Sequence, residues 1–437
     1  MPLWYPDALA FLANLFWVFA ALNMLAWVVI RCAPGFFVSL ESRMHYDPGV
    51  WYRTHFAAEP VHRWYGLSPQ DFEAYLAEIT AHNYEYAYDP LCEYRHNTHQ
   101  GRFLNVSEHG FRAGEGQGPW PPDPGNCNIF VFGGSTAFGV GADWHSVPSL
   151  LQAALDGRLV GRQSRPVRCY NFGRFAYYSS QEKTLFTRLV TEGFRPDLAL
   201  FFHGLNDCVR AEGGTAVAGI YTEALRAHNS MHREFARNRL KARIKWIRLW
   251  LFISSLPLLR LAEDLGRHLA GRDETPLAQL AGTQRDFSPD LSGEQRQAVV
   301  ERLLLNHRQI LGVAGLSGVR CLFVLQPHPA YAYDLSCHRA HVTALGLRGN
   351  ERGGEVYPEL RAALAAAEYA PQSLLDLSDM QEGLRENLYL DEAHYTADFS
   401  AQIARRMAEH ILSRPDLTRS DPIRPDLGGP ARPDQRN

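Results

Sequence analysis

One serine occupies a position suited to nucleophilic chemistry, in a glycine-rich turn directly after an apolar run. Ser135 follows the pair Gly133-Gly134 within the segment Phe132–Gly139. Glycines let the chain turn sharply and leave the serine hydroxyl beside backbone N–H groups. The alternatives are an ordinary turn or a phosphate-binding loop, but the Gly-Lys-Ser/Thr ending of such a loop is missing. A serine attacks only when a base removes its proton, so this prediction requires a partner.

The partner that the sequence offers is a histidine near the end of the chain. Asp391-Glu392-Ala393-His394 places a carboxylate three residues before an imidazole. At that spacing in a turn, Asp391 can bind Nδ1–H of His394 and leave Nε2 free to take a proton from Ser135. His203 and His328 also follow apolar runs, but neither has a carboxylate three residues before it. We therefore predict Ser135, His394 and Asp391 as nucleophile, base and orienting carboxylate.

Two further turns offer donors for the oxyanion of a tetrahedral intermediate. Tyr170-Asn171-Phe172-Gly173 follows one apolar run, and His203-Gly204-Leu205-Asn206 ends another. Acyl transfer needs N–H groups aimed at the developing negative charge. We predict that the backbone N–H groups of Ser135 and Gly173 and the side-chain amide of Asn206 supply them.

These residues must be positioned by the elements between them, and the chain alternates apolar runs with amphipathic stretches. The runs predicted as strands are Asn128–Phe132, Val167–Asn171, Leu198–His203, Val319–Gln326 and Ser373–Leu377. The stretches predicted as helices are Ser146–Leu159, Ser180–Gly193, Ser292–Ala314, Pro358–Tyr369 and Thr396–Ser413. Near-continuous apolar strands alternating with helices predict a parallel sheet covered on both faces, which places sites at the carboxyl ends of the strands.

Composition excludes several classes of protein. The chain has 437 residues, of which 46% are hydrophobic and 21% charged, as in ordinary globular proteins. A net charge of −3 gives no electrostatic reason to expect a nucleic-acid partner. Seven cysteines without a C-x-x-C pair argue against a disulfide framework and a zinc site. We expect neither a cofactor nor a metal ion.

The N-terminal region is unusually apolar. Residues Ala8–Ile30 carry no charged side chain, and Trp4, Tyr5 and Trp27 lie near the ends of this segment. At about 1.5 Å per residue the segment is long enough for a ~30 Å hydrocarbon layer. It lacks the basic start and short apolar core of a signal peptide. The sequence predicts an uncleaved single-pass anchor in the cell membrane, with a buried helix as the alternative.

Three other regions flank or interrupt the predicted domain at residues 126–413. Residues 33–125 are predicted as an irregular, aromatic-rich approach region with helix around Pro69–Thr80, and residues 414–437 as a disordered tail. An insertion at about 209–291 carries seven basic side chains between Arg233 and Arg248, followed by an apolar stretch. It is predicted as a helical lid, with an interfacial helix on anionic lipid as a compatible alternative.

The order Ser135, Gly173, Asn206, His394 in such a chain resembles the SGNH (GDSL-type) hydrolase family. There these residues are the nucleophile, two oxyanion donors and the base, and an aspartate three residues before the histidine matches Asp391. The resemblance covers about 128–413 without the insertion. It implies a three-layer α/β/α fold with a five-stranded parallel sheet of flavodoxin-like type. One departure is Gly134, where the family has the aspartate of Gly-Asp-Ser.

The chain further resembles a bacterial membrane-anchored branch of the family, often linked to surface polysaccharide, in the stretches Phe132–Gly139, Tyr170–Gly173 and Pro196–Asp207, preceded by Tyr94-Arg95-His96 and Val106–Arg112. This branch favours an extracytoplasmic domain, whereas Arg31 and Arg43 after the apolar segment favour the opposite side. The sequence thus predicts a membrane serine esterase acting on an O-acylated carbohydrate or lipid. An O-acyltransferase on surface polysaccharide and a non-catalytic binding module on the same fold are the alternatives.

Overall fold

The computed structural model describes residues 5–32, 56, 59–82, 86–156, 158, 165–209, 256–259, 261–262, 291–339, 347 and 350–417. The helices are α1 (Tyr5–Cys32), α2 (Val61–Trp64), α3 (Pro69–His82), α4 (Ser135–Phe138), α5 (Val147–Leu155), α6 (Ser179–Thr191), α7 (Leu205–Val209), α8 (Gly293–Ser317), α9 (Arg352–Ala365), α10 (Ala370–Ser373) and α11 (Ala397–Ser413). The strands are β1 (Tyr86–Asp89), β2 (Glu93–His96), β3 (His99–Gln100), β4 (Asn105–Val106), β5 (Cys127–Gly133), β6 (Val167–Asn171), β7 (Leu198–His203), β8 (Arg320–Leu325) and β9 (Leu374–Asp376).

Strands β5 to β9 form one parallel sheet in the order β6-β5-β7-β8-β9. Phe132 of β5 lies opposite Phe201 of β7, and His203 of β7 lies opposite Leu325 of β8. This is the strand order 2-1-3-4-5 of flavodoxin-like folds, in which the crevice lies where the order reverses, between the first and third strands. The predicted five-stranded α/β fold is confirmed, and all five predicted strands are present.

Both faces of the sheet are covered, which explains why its strands are apolar at nearly every position. Val131 and Phe202 face a core that also contains residues of α5 and α11, such as Leu151 and Ile403. On the other face Phe132 packs against Phe186 of α6 at 5.7 Å between ring centroids. Helix α8 packs against both α6 and α9. The sheet is therefore the middle of three layers.

Helix ends follow local capping chemistry. Ser292 and Gln295 form a reciprocal capping box at the start of α8, and Gly318 ends that helix with φ of 70°. Thr396 caps α11 by accepting a hydrogen bond from Phe399 N–H. Helix α9 begins at Arg352 rather than at the predicted Pro358. Its apolar face already starts with the buried Val356 and Tyr357, so packing extends the helix ahead of the proline.

The approach region contains regular elements up to Val106, whereas residues 107–126 form turns and bends. Strands β1 and β2 pair antiparallel, as do β3 and β4. Arg112 forms an antiparallel bridge with Asn171, so this segment lies along the free edge of β6. This part of the approach region thus extends the sheet domain at its β6 edge.

Chain contacts divide the protein into two units, Met1–Asp47 with Gly219–Arg285, and Pro48–Ala218 with Asp286–Asn437. In the first unit, Leu258 N–H donates to Asn23 Oδ1 of α1 at 3.1 Å. None of the helices in the described ranges is both long enough and apolar enough to span a membrane. The anchor at Ala8–Ile30 therefore stays a prediction. Most of the insertion and the tail after Leu417 lie outside the described residues, so their predictions also stay predictions.

Candidate active site

The serine turn lies at the carboxyl end of β5. Gly134 precedes α4 with extended backbone angles (φ −81°, ψ −155°), and Ser135 is the first residue of that helix. Ser135 is half-buried, whereas the three residues after it are buried. The first N–H groups of a helix have no acceptor within the helix. The turn therefore presents the Ser135 hydroxyl and a backbone donor at the edge of the sheet where the prediction placed them.

Asp391 and His394 form the predicted carboxylate–imidazole pair. The Asp391 Oδ1 and Oδ2 atoms lie 2.8 and 2.7 Å from His394 Nδ1. Asp391 Oδ1 also accepts the backbone N–H groups of Ala393 at 3.0 Å and His394 at 2.9 Å, which fixes the turn. Since Nδ1 donates to the carboxylate, the neutral ring carries its lone pair on Nε2. That nitrogen is buried and makes no hydrogen bond within the described part of the chain.

Asp391 and His394 shift each other's pKa. Burial would raise the pKa of Asp391, but the charge and hydrogen bonds of His394 hold it below the ordinary value. Burial would lower the pKa of His394, but the Asp391 carboxylate raises it above the ordinary value of 6.5. The imidazole thus becomes a stronger base, as proton abstraction from a hydroxyl requires.

A shared glutamine ties the serine turn to the histidine turn. Thr136 Oγ1 donates to Gln326 Oε1 at 2.6 Å, and Tyr395 OH lies 3.0 Å from the same oxygen. Tyr395 OH also lies 2.7 Å from the carbonyl oxygen of Pro327. Thr136 and Tyr395 are the residues directly after Ser135 and His394. The structure therefore brings the predicted nucleophile and base to the same edge of the sheet.

Asn206 lies beside the serine turn. Its Nδ2 donates to Tyr177 O at 2.7 Å, which uses one of its two N–H bonds. A Cβ atom added to Gly134 would lie 2.2 Å from the same Nδ2. The amide is thus packed against the residue before Ser135, with one N–H left for an oxyanion.

Gly173 is equally close but differently engaged. A Cβ atom added to Gly173 would lie 2.3 Å from the backbone nitrogen of Phe138, so only glycine fits against α4. The N–H of Gly173 donates to Asn171 Oδ1 at 3.0 Å. Asn171 in turn donates to the carbonyl oxygens of Ala137 and Phe138 at 2.9 and 3.0 Å. The structure places this predicted donor at the site, but Asn171 already occupies it.

Neither competing histidine combines a carboxylate on Nδ1 with an unoccupied Nε2, since Nδ1 of His328 accepts the backbone N–H of Ala330 and Nε2 of His203 is occupied. Both ring nitrogens of His203 are occupied: Nδ1 lies 2.9 Å from Glu182 Oε2, and Nε2 lies 2.8 Å from His307 Nε2. His307 Nδ1 continues this chain to Tyr369 OH at 2.8 Å. His328 is buried, which lowers its pKa to about 3.

An arginine of the approach region holds the end of α4, and its partners could not be predicted from the sequence. Arg112 is 2% exposed and pairs with Asp143 at 2.7 Å through Nε. Its Nη1 and Nη2 atoms each donate at 2.6 Å, to Gly139 O and Gly141 O respectively. This arginine belongs to the Val106–Arg112 segment, but nothing in the segment indicated a contact with α4.

No group of three or more His, Cys, Asp or Glu side chains in the described ranges is arranged to hold a metal ion. A cleft of about 990 Å³ lies on the approach region, between Trp120 and Trp144. None of the predicted site residues lines this cleft.

No protein-family model and no curated protein matches the sequence. Among solved structures, the chain is similar to one described as a lipolytic protein of the G-D-S-L family from Desulfitobacterium hafniense DCB-2. That match has 13% identity and a TM-score of 0.32, and it covers 65% of this chain and 99% of the other. The inhibitor-bound aryl esterase of M. smegmatis shares 10% identity, with a TM-score of 0.33 and coverage of 65% and 98%. A carbohydrate acetylesterase family member from Sinorhizobium meliloti shares 15%, with a TM-score of 0.30 and coverage of 66% and 98%.

The strand order and the order of the site turns along the sheet can be compared with those of the family that the sequence resembles. The serine turn follows the first strand of the sheet, Gly173 the second and Asn206 the third, and the Asp391–His394 turn precedes the last helix. By its fold and by these positions the chain is similar to the SGNH (GDSL-type) hydrolases, whereas the resemblance to the membrane-anchored branch stays a prediction.

Proposed function

We propose that the protein is a serine esterase that acts through an acyl-enzyme. His394 Nε2 takes the proton of Ser135 Oγ as this oxygen attacks the ester carbonyl carbon. The N–H groups of Ser135, Gly173 and Asn206 stabilise the resulting oxyanion. When the intermediate collapses, the C–O bond to the alcohol breaks, and His394 gives its proton to that oxygen. Water, deprotonated by the same ring, then attacks the acyl-enzyme, releases the acid and restores the Ser135 hydroxyl.

The observation that carries this proposal is the Asp391–His394 pair with an unoccupied Nε2, joined through Gln326 to the turn that bears Ser135. A pair with this geometry can remove a proton only from a group beyond Nε2. Ser135 opens the neighbouring helix and is not fully buried. The Gly173 donor would be shared between Asn171 and the oxyanion.

Labelling with a fluorophosphonate probe tests the proposal on the full chain. The native protein should be labelled at Ser135, whereas Ser135→Ala and His394→Ala should not react. The double variant should hydrolyse an aryl acetate no more slowly than either single variant, because residues that act as one unit are not additive. Ser413→Ala, an exposed serine at the end of α11, is the control and should react normally. A native protein that does not react would support the non-catalytic binding module instead.

For the substrate we propose an O-acylated carbohydrate or lipid at a membrane. The support is the resemblance to the branch linked to surface polysaccharide, seen in Phe132–Gly139, Tyr170–Gly173 and Pro196–Asp207 and in the segments Tyr94-Arg95-His96 and Val106–Arg112 that precede them. A panel of acetylated oligosaccharides and phospholipids should show hydrolysis of one class. Product analysis with and without a sugar acceptor separates the esterase from the O-acyltransferase: a transferase forms a new sugar ester in place of free acid.

We also propose that α1 attaches the protein to the cell membrane through Ala8–Ile30. Large apolar side chains of this helix are exposed, among them Phe11, Phe16 and Trp17 at 62–68%. Deleting residues 1–30 should release the protein from membranes. A deletion variant that still pellets after a high-salt wash would contradict this, and elution by salt alone would implicate the basic insertion. A C-terminal reporter fusion would show which side the domain occupies; the resemblance to the membrane-anchored branch supports the extracytoplasmic side.

A further inference from the structure

The loop between β6 and α6 contains a buried arginine that the proposed reaction does not use. Arg174 is 1% exposed and directly follows Gly173. Its Nη1 lies 2.7 Å from Tyr94 O, 2.8 Å from Tyr177 OH and 3.3 Å from Asp89 Oδ2. The guanidinium carbon lies 5.3 Å from the centroid of the Tyr177 ring. Arg174 thus joins its own loop to the hairpin of the approach region.

The hairpin β1–β2 offers acceptors to this arginine, and its Asp89 also pairs with Arg188 of α6, whose Nη1 lies 2.8 Å from Asp89 Oδ2. Asp89 is 3% exposed and accepts the backbone N–H groups of Leu91 and Cys92 at 3.2 and 3.1 Å. The positive charge of Arg174 helps to keep the pKa of Asp89 below its ordinary value, against the effect of burial. The Tyr177 hydroxyl lies 2.6 Å from the carbonyl oxygens of both Cys92 and Tyr94. Two side chains of the loop, Arg174 and Tyr177, therefore bind the hairpin. From the hairpin, Tyr94 OH donates to Phe175 O at 2.5 Å, and His96 Nε2 accepts the N–H of Phe175 at 3.2 Å.

The other end of Tyr177 meets the proposed oxyanion site. Its carbonyl oxygen accepts the Asn206 amide at 2.7 Å, and the same oxygen would lie 3.1 Å from a Cβ added to Gly134. One N–H of Asn206 is thus held by Tyr177, and this contact sets the direction of the other. A displacement of the Tyr177 backbone would turn the second N–H away from the oxyanion.

We propose that Arg174 is a positioning residue for the Asn206 amide, acting through the hydroxyl and carbonyl groups of Tyr177. The proposal rests on the proposed esterase function, because it assigns Asn206 a role in stabilising the oxyanion. The approach hairpin then contributes to catalysis without touching substrate. All three hydrogen bonds of Arg174 are made by Nη1, whereas its Nε and Nη2 make none within the described ranges, so the reach of Nη1 is what matters. The ammonium of a lysine ends one bond earlier, at the position of the guanidinium carbon, so a lysine is not equivalent.

A double-mutant cycle with Asn206 tests this. Arg174→Lys and Tyr177→Phe should each lower kcat about 10-fold with KM unchanged, since misplacing a transition-state donor by a fraction of an ångström is costly. In an Asn206→Ala background neither change should lower kcat further. Arg165→Lys is the matched control: Arg165 pairs with Asp197 at 3.0 Å and is half-buried, but Asp197 precedes the amino end of β7. This control should keep the native kcat.

Losses of equal size in the native and Asn206→Ala backgrounds would overturn the proposal, and so would a higher KM with unchanged kcat. A lower Tm with native kcat would show that Arg174 is only structural. If Arg174→Lys does not fold, Tyr177→Phe, which removes one hydroxyl, decides the question. Activity retained by Ser135→Ala would instead refute the esterase. If Ser135→Ala is inactive but the losses in kcat from the Arg174 or Tyr177 variants and from Asn206→Ala are additive, the esterase function stands and the positioning role of Arg174 is refuted.

Discussion

Substituting Gly134 with aspartate recreates the Gly-Asp-Ser sequence of the family, yet here it should impair turnover. A Cβ at this position would lie 2.2 Å from Asn206 Nδ2 and 3.1 Å from Tyr177 O. Ordinary contact between such atoms begins near 3.4 Å, so the amide must move by about 1 Å. Gly134→Ala should impair turnover in the same way, because the clash comes from the Cβ atom.

The magnitude follows from what the displaced amide does in the proposed reaction. A 1 Å misplacement can cost about 10²-fold in rate, and losing an oxyanion donor costs about 10²–10³-fold. We therefore expect both variants to lower kcat about 10²-fold with little change in KM. Overpacking should also lower the free energy of unfolding by about 1–3 kcal/mol.

Steady-state kinetics on an aryl acetate and urea denaturation of the same preparations measure the two effects. Gly315→Ala within α8 is the control, because its Cβ meets no atom within 4 Å, and it should keep the native kcat. Combining Gly134→Ala with Asn206→Ala should be no worse than Asn206→Ala alone. Gly134→Asp with native or higher kcat would refute the reasoning.

Three other predictions concern the pH profile, the approach region and the thiols. Because the neutral ring of His394 is the base and its pKa is raised, kcat/KM should increase with pH, with a midpoint above 6.5. Asp391→Asn should move this midpoint to lower pH and lower the kcat/KM reached at high pH. Arg112→Ala leaves the buried Asp143 carboxylate with its Asn105 hydrogen bonds but without a countercharge, so it should lower the free energy of unfolding by about 3–5 kcal/mol, measured in urea. Burial raises the pKa of Cys92 to about 11 and of Cys127 to about 12, so a thiol reagent at pH 8 should modify these two only after unfolding.

The sheet could be predicted from the sequence because its strands are buried on both faces. Leu198–His203 has no exposed residue, and the bounds of its apolar run are the bounds of the strand. The Asp391–His394 pair was predictable because both members lie in one turn, where spacing alone decides their contact. The position of Ser135 followed from the glycines that end β5.

The contacts that join distant segments could not be predicted in this way. Arg112 and Asp143 are 31 residues apart, and nothing local in either segment indicates the other. Strands of four residues, such as Glu93–His96, carry too little pattern to be recognised. The hydrogen bond from Gly173 N–H to Asn171 Oδ1 could not be predicted either, because it depends on how the chain folds in this turn; the role of Gly173 as an oxyanion donor stays a prediction.

A row of buried hydrogen bonds links Glu182, His203, His307 and Tyr369, and the direction of each bond depends on how many protons the row holds. If Glu182 and His203 share one proton on Nδ1, the bare Nε2 of His203 must accept from His307, whose ring then carries its hydrogen on Nε2. If the pair holds two protons, His203 Nε2 donates, and the hydrogen of His307 must lie on Nδ1, facing Tyr369 OH. Burial and the neighbouring His203 lower the pKa of His307 well below its ordinary value, so His307 stays neutral in both cases. The ¹⁵N chemical shifts of His307 distinguish its two tautomers. They would therefore show how many protons Glu182 and His203 hold, at the end of β7 and three residues before Asn206.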